Sequence, residues 1–301
     1  MKKYDLIIIG AGPAGINAAV YATRYKLKTL VFGQIPGGAA AEANEIENLF
    51  GYSKIKGVDL MQSMAEQIKN LEIQMISEIV IDIKKEDKVF IVKTVNNQYS
   101  AKNIILATGT NRRKLGLSTE GKYLGKGFHY CATCDAALYK DKIVAVIGGG
   151  NSALTAALLV AEFGQKVYLI HRGSDFAKSE PVWVDKVNQN EKIEKVFNAN
   201  VVELIGEGKI ESIKLDTGQD LKVDGVFVEI GSEPNVELAK KLDVKLTEDG
   251  HIETDRFQKT SVSGIYAAGD STDYPLKQII TAAAQGAVAA NSIYQEIQKR
   301  D

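Results

Sequence analysis

Over much of this chain the apolar residues come in short uninterrupted runs rather than in strict alternation. Residues 5–9, Asp5-Leu6-Ile7-Ile8-Ile9, are the first such run. A strand that is apolar on both faces is expected in a parallel sheet covered on both sides. The run stops at Gly10-Ala11-Gly12-Pro13-Ala14-Gly15, an alanine-rich stretch to Tyr25 predicts a helix, and Thr29–Phe32 predicts the next strand. The order then recurs: 142–147 as strand, Gly148-Gly149-Gly150-Asn151-Ser152-Ala153 as turn, 154–163 as helix, 166–170 as strand. Strand, glycine turn, helix and strand form the unit of a dinucleotide-binding fold. The pattern predicts an α/β protein with two Rossmann-like domains.

Between the two units, residues 79–99 carry apolar runs such as Val89-Phe90-Ile91-Val92 separated by polar turns, which predicts antiparallel strands. Residues 104–107 return to buried-strand character and end at Thr108-Gly109. Near the other end, Ile265-Tyr266-Ala267-Ala268 reaches Gly269-Asp270 and a further alanine-rich helix. That last segment completes the first domain in this reading, giving 1–111 plus 241–301, with 112–240 inserted as the second. A length of 301 residues suits two domains of ordinary size.

Composition narrows the function classes. Hydrophobic residues make up 45%, charged residues 25%, and the formal net charge is −1. That balance lacks the excess of cations needed to neutralise phosphates, so nucleic acid is not an expected partner. Met1-Lys2-Lys3 before an apolar run superficially resembles a secretory signal, but Asp5 interrupts it, and no run reaches the roughly 18 apolar residues of a membrane span. A soluble, cytoplasmic protein is expected. The two cysteines lie in one short motif, which is not the framework of a secreted disulfide scaffold.

Three features bear chemistry. A glycine turn between strand and helix lets the backbone approach a pyrophosphate, and the helix N-terminus presents amide hydrogens to its charge. The bland alternative is a tight turn without a ligand. After the first turn the second strand ends at Phe32-Gly33, where the generic fingerprint has an acidic residue for the ribose hydroxyls. Cys131-Ala132-Thr133-Cys134 has the spacing of a reversible disulfide, which commonly lowers one thiol toward neutrality. Half a zinc site, with His129, or two buried small apolar side chains are the other readings of the pair. The sequence has few further ligands, and no metal is expected. Asp135 follows directly, either as a solvated helix-start charge or as a general acid beside the thiols.

The order of motifs resembles the bacterial and archaeal low-molecular-weight thioredoxin reductases over nearly the whole chain. GAGPAG at the start, PGG at 36–38, EN at 47–48, ATG at 107–109, CATCD at 131–135, GGGNSA at 148–153, HR at 171–172 and AAGD at 267–270 all occur in that family in this order. The resemblance implies FAD bound by the N- and C-terminal segments, NADPH bound by the inserted domain, a homodimer, and thioredoxin or a thioredoxin-like protein as substrate. For FAD it implies Gly10, Gly12, Pro13, Ala14, Gly15, Gly33, Gly37, Gly38, Ala39, Asn48, Thr108, Gly109, Gly269, Asp270, Lys277, Gln278 and Ile279. Plain helix capping is another reading of Gln278 and Ile279. For the nicotinamide nucleotide it implies Gly148, Gly150, Asn151, Ser152, Ala153, His171, Arg172, Lys178 and Gly231. Cys134 becomes the thiol beside the flavin, Cys131 the one that attacks the substrate disulfide, and Asp135 the proton carrier.

The chain departs from the family in two places. The residue after Asp135 is usually Gly and is Ala136 here. NADPH-specific members carry His-Arg-Arg-x-x-x-Arg, whereas this chain has His171-Arg172-Gly173-Ser174-Asp175-Phe176-Ala177, with Lys178 one place later. A lysine is a point charge rather than a bidentate fork. The donor is therefore NADPH, NADH or a non-nicotinamide reductant, and an acidic grip on the ribose requires Asp175 or Glu180 to fold back. The expected reaction passes two electrons from donor to FAD, to the cysteine pair, and to a protein disulfide. Reduction of a peroxiredoxin-like or glutaredoxin-like partner or of a small disulfide is the alternative, and a non-enzymatic flavin sensor is the third reading.

Overall fold

Leu6 and Ile8 face one way along the first strand, Ile7 and Ile9 the other, and all four are buried. Leu6 and Ile8 pack with Ala14, Ala18 and Ala22, whereas Ile7 and Ile9 pack with Leu30, Phe90 and Ile104. This is why the run is uninterrupted: neither face of residues 6–9 meets water. Truncating Ile8 to Ala would cost about 2–5 kcal/mol, the range for a cavity in such a core.

The computed structural model describes residues 2–35 and 37–299. Pro36, the first residue of the Pro-Gly-Gly motif, lies outside them. Two units are present, Met1–Asn111 with Pro234–Asp301, and Arg112–Glu233. In the first, Lys2–Ile9 lies between Thr29–Phe32 and Gln98–Leu106, parallel to both. Gln74–Ile76 extends the sheet beyond Thr29–Phe32 in parallel, and Ile265–Ala267 pairs in parallel with the last residues of Gln98–Leu106. Val80–Glu86 and Val89–Thr94 form the antiparallel extension, as the sequence predicts for 79–99.

Pro13–Arg24 is the helix after the first turn; proline at its first position suits a place where an amide hydrogen has no intrahelical partner. It packs against the last helix, Ile279–Gln298. Asn17 Nδ2 donates to the Ala283 carbonyl at 2.7 Å, and Tyr25 stacks on Tyr294 with ring centroids 4.5 Å apart. Gly286 sits so close to the Ala14 carbonyl that a Cβ there would overlap it.

The second crossing between units lies at 233/234, not at the 240/241 expected from sequence. Glu237–Lys241 is a helix, and Val236, Ala239 and Val244 are buried with Ile7 and Leu30 of the first unit. Lys241 Nζ also donates to the Ile81 carbonyl at 2.7 Å. The chain carries no glycine- or serine-rich linker there to mark the change.

The second unit has a five-stranded parallel sheet in the order Ile193–Phe197, Lys166–His171, Ile143–Ile147, Gly225–Val228, Phe128–His129. A separate antiparallel sheet comprises Val201–Ile205, Ser212–Leu215 and Asp220–Lys222. The helix after the second turn is Asn151–Phe163, three residues longer at its start than predicted. Among the described residues no helix is long and apolar enough to cross a membrane.

Candidate active site

In the first unit, the end of Lys2–Ile9 meets the start of Pro13–Arg24 in a turn shaped by close backbone approaches. Gly10 has φ +116°, and a Cβ on it would overlap the Ala107 carbonyl; one on Gly15 would overlap the Gly10 carbonyl. Gly12, which caps the helix, is different: a Cβ there would meet nothing within 4 Å. Protein packing thus dictates Gly10 and Gly15 but leaves an open cradle at Gly12, the arrangement a pyrophosphate requires. Gly38 flanks it, with its Cβ position 3.8 Å from the Gly12 Cα. Gly33 has φ +154°, and a Cβ on it would strike Ala11. Close approach to the turn therefore explains why no acidic side chain follows the second strand.

The end of Ile265–Ala267 brings further predicted residues to the same unit. Gly269 N donates to Gln285 Oε1 at 2.7 Å, and the Thr272 hydroxyl donates to that oxygen at 3.1 Å. Gln285 is buried and had no signal in the sequence beyond its place in an apolar helix. Burial raises the Asp270 carboxyl above the ordinary aspartate range, with Lys277 and His251 pulling the other way. Lys277 is lowered by burial, and its ammonium donates to the Thr272 carbonyl. Gln278 and Thr281 form a capping box on Ile279–Gln298, and Asn48 Nδ2 donates to Gln278 Oε1 at 3.0 Å. Capping of that helix is thus real, and it joins two predicted residues 230 positions apart in sequence. Thr108 Oγ1 donates to the Asn235 carbonyl at 2.6 Å, and Asn235 N donates to the Gly109 carbonyl at 2.9 Å. Gly37 approaches the Gln34 carbonyl, and Ala39 is exposed.

The second unit repeats the cradle. Gly148 has φ +146°, its Cβ position overlaps the Glu229 carbonyl, and Gly150, capping Asn151–Phe163, is open. Ala153 is fully buried, Ser152 exposed. Around this turn the chain's own side chains gather. The His171 ring lies against Gly149, and Ser179 Oγ donates to the Gly149 carbonyl at 2.9 Å. Glu180 folds back onto the turn: Asn151 Nδ2 donates to its carboxylate at 3.0 Å, and its amide donates to Asn151 Oδ1 at 2.8 Å. Asp175 instead caps its own turn through the Ala177 amide. Arg172 and Lys178 are exposed, and His171 is held below the ordinary histidine range by burial and by Arg172. Gly231 accepts from the Arg113 amide at 3.0 Å.

Cys131 and Cys134 are joined in a disulfide with Cα atoms 5.3 Å apart. Cys131 caps the short helix Ala132–Asp135, its sulfur accepting from the Cys134 amide at 3.2 Å. Cys134 is exposed and Cys131 half-buried. Asp135 Oδ2 is 2.8 Å from His129 Nδ1, and His129 Nε2 is 2.6 Å from the Tyr139 hydroxyl. Both ring nitrogens of His129 are therefore engaged by oxygens. In sequence His129 is visible only as a metal-ligand candidate; Tyr139 gives no signal at all.

The chain matches the pyridine nucleotide-disulphide oxidoreductase model over residues 4–286. It is 36% identical to the thioredoxin reductase of Bacillus subtilis over 305 residues, covering 99% of this chain and 96% of that one. Among solved structures, Lactococcus lactis thioredoxin reductase superposes with a TM-score of 0.94 at 35% identity, covering 98% of this chain and 99% of that one. T. acidophilum thioredoxin reductase gives a TM-score of 0.93 at 37% identity, over 99% and 100% of the two chains. With two open glycine cradles, one reversible disulfide and this likeness along its whole length, the chain belongs to the pyridine nucleotide-disulphide oxidoreductases and, within them, to the low-molecular-weight thioredoxin reductases.

Proposed function

We propose that the protein reduces the disulfide of thioredoxin with electrons from NADPH, carried through FAD and the Cys131–Cys134 pair. The observation that carries this is the disulfide itself, closed at the start of a short helix with Asp135 beside it, in a chain with two open glycine cradles. The cradle around Gly12 fits the FAD pyrophosphate, and that around Gly150 fits the nicotinamide dinucleotide. FAD, when bound, supplies hydride acceptance from the nucleotide and two-electron transfer to the disulfide.

The chain's own residues do the rest. Two electrons break the S–S bond; one sulfur takes a proton held at Asp135, and Cys131 remains a thiolate. That thiolate attacks the substrate disulfide and expels one partner sulfur as thiolate. Cys134 returns its proton, attacks Cys131 and expels the second. The disulfide is restored, and the partner leaves as dithiol once its two sulfurs have taken one proton from Asp135 and one from solvent. A homodimer in the cytoplasm is part of this reading.

Two experiments test it. Anaerobic stopped-flow mixing of the FAD-loaded protein with NADPH, NADH or reduced ferredoxin should bleach the flavin fastest with NADPH; bleaching by ferredoxin alone would replace the donor. Cys134→Ser should trap a covalent complex between Cys131 and thioredoxin, whereas Cys131→Ser should not. The opposite pattern exchanges the thiols' roles, and capture by neither rejects thioredoxin as substrate.

A further inference from the structure

The carboxylate of Asp135, the residue after Cys134, is one end of a fixed chain of hydrogen bonds. His129 Nδ1 lies 2.8 Å from Asp135 Oδ2, and Nε2 lies 2.6 Å from Tyr139 Oη. The Asp135 side chain is 32% exposed, whereas that of His129 is 8% exposed. Each member is held by a different element. His129 ends the edge strand Phe128–His129, and its ring stacks on Phe227 at 5.2 Å. Tyr139 closes the 3-10 turn Ala136–Tyr139, with its ring against Gly225 so closely that a Cβ there would overlap it. Packing thus sets the imidazole's position, and the imidazole sets the carboxylate's.

Polarity follows from the chemistry of the three groups. Burial raises the Tyr139 hydroxyl to about 12, with Asp135 and then Asp224 adding to the effect. The phenol therefore keeps its proton at neutral pH and donates it to Nε2. A neutral imidazole offers one donor and one acceptor. With Nε2 accepting, Nδ1–H donates to the carboxylate, so both bonds run toward Asp135, the residue after Cys134. The charged groups around the imidazole and phenol are Asp135, Asp224, and Lys142 at 3.8 Å from Asp224. On reduction the two cysteine thiols add titratable groups next to Asp135 in sequence.

We infer that His129 is a positioning residue for disulfide exchange, and that the His129–Asp135 pair, braced by Tyr139, rather than Asp135 alone, holds the proton exchanged with Cys131 and Cys134. On reduction the protonated pair gives one proton to one sulfur, Asp135 is left a carboxylate, and Nδ1–H remains donated to it. The other sulfur stays thiolate. During resolution Cys134 returns its proton to the pair, its thiolate attacks Cys131, and the pair protonates the departing partner sulfur. The pair then regains a proton from solvent, and the partner sulfur expelled first takes another, so two protons are taken up with the two electrons in each cycle.

The inference rests on the exchange role proposed above, so its test is independent of thioredoxin. The rate at which iodoacetamide alkylates the reduced cysteines of the FAD-loaded protein is followed from pH 5 to 9.5. His129→Asn keeps a donor toward Asp135 but cannot take up a proton. The wild-type profile should carry a second step beyond that of the thiol itself. His129→Asn and Asp135→Asn should each abolish it, and the double variant should change nothing further. Tyr139→Phe should shift the step without removing it. A wild-type profile in His129→Asn overturns the inference and leaves His129 as packing. Should that variant not fold, nitrogen-15 spectra of the wild-type imidazole decide: proton on Nδ1, with a titration midpoint that moves between disulfide and dithiol forms, is the expected result, and a midpoint indifferent to the cysteines overturns it. Loss of thioredoxin turnover in the wild type would sink the proposed function while leaving these profiles unaffected.

Discussion

Asp270 shows how a single residue is set for a ligand at some expense to the protein that carries it. Its carboxyl is raised by burial. Between the unfolded value, near 3.9, and the raised folded value, the native chain binds more protons than the unfolded chain, so stability falls as pH rises through that window. Asp270→Asn should therefore leave the apoprotein's melting temperature at pH 7–8 unchanged or higher. Hydroxyl donors of a bound FAD would satisfy the carboxylate, and a hydrogen bond to a charged group is worth about 1.5–3 kcal/mol. The same variant should weaken FAD binding roughly tenfold or more, read from flavin fluorescence. Unchanged affinity would remove Asp270 from the cofactor site. At the neighbouring scale of chemistry, Asp135→Asn removes the acid and keeps the shape, and should slow thioredoxin reduction while leaving FAD content intact. Which residues met was less legible than which residues mattered. Asp135 is readable from the CATCD motif, but its tie to His129 and Tyr139 depends on a two-residue edge strand and a 3-10 turn that leave no periodic trace.

Among the elements, the two glycine turns separate structural glycines from ligand glycines. Gly10→Ala forces a residue with a Cβ into φ +116° and against the Ala107 carbonyl, and the backbone strain alone is of order 1–3 kcal/mol. Gly12→Ala and Gly150→Ala meet no protein atom. We expect Gly12→Ala to preserve apoprotein stability and lose FAD, and Gly150→Ala to preserve stability and FAD while raising the Michaelis constant for NADPH. Equal destabilisation in all three, by thermal melts, would show that the cradles are ordinary turns. The segment after the second turn limits donor discrimination, because only Arg172 and Lys178 remain where the family has three arginines. Ala177→Arg should raise the NADPH to NADH efficiency ratio roughly tenfold through the Michaelis constant, since the 2′-phosphate is bound alike in ground and transition states. Gly173→Arg is the poorer restoration: its Cβ would come within 2.7 Å of His171 Nε2. The strands leading into both turns were legible because burial on both faces writes itself as an unbroken apolar run. Gly57–Asn70, Gln74–Ile76 and the sheet of Val201–Ile205, Ser212–Leu215 and Asp220–Lys222 were not, since a helix with much of its surface in water and strands of three to five residues leave little pattern.

At the level of the whole molecule, the first unit is assembled from two stretches of chain separated by the second. Its sheet needs Ile265–Ala267, its core needs Val236 and Ala239, and the helix after its glycine turn needs Ile279–Gln298. Gly286, against the Ala14 carbonyl, is the tightest of these joins. During synthesis, residues 2–32 leave the ribosome before 112–233 and then wait, with Leu6, Ile8, Ala14 and Ala18 still short of partners, while 112–233 emerges with a core of its own. Domains generally fold as units as they are made. The nascent chain should therefore acquire a protease-resistant second unit before it can take up flavin, and stalled chains ending before 279 should bind none. Loading with cofactor becomes an event after translation, and supply of FAD governs how long a finished but colourless polypeptide stays open to quality control.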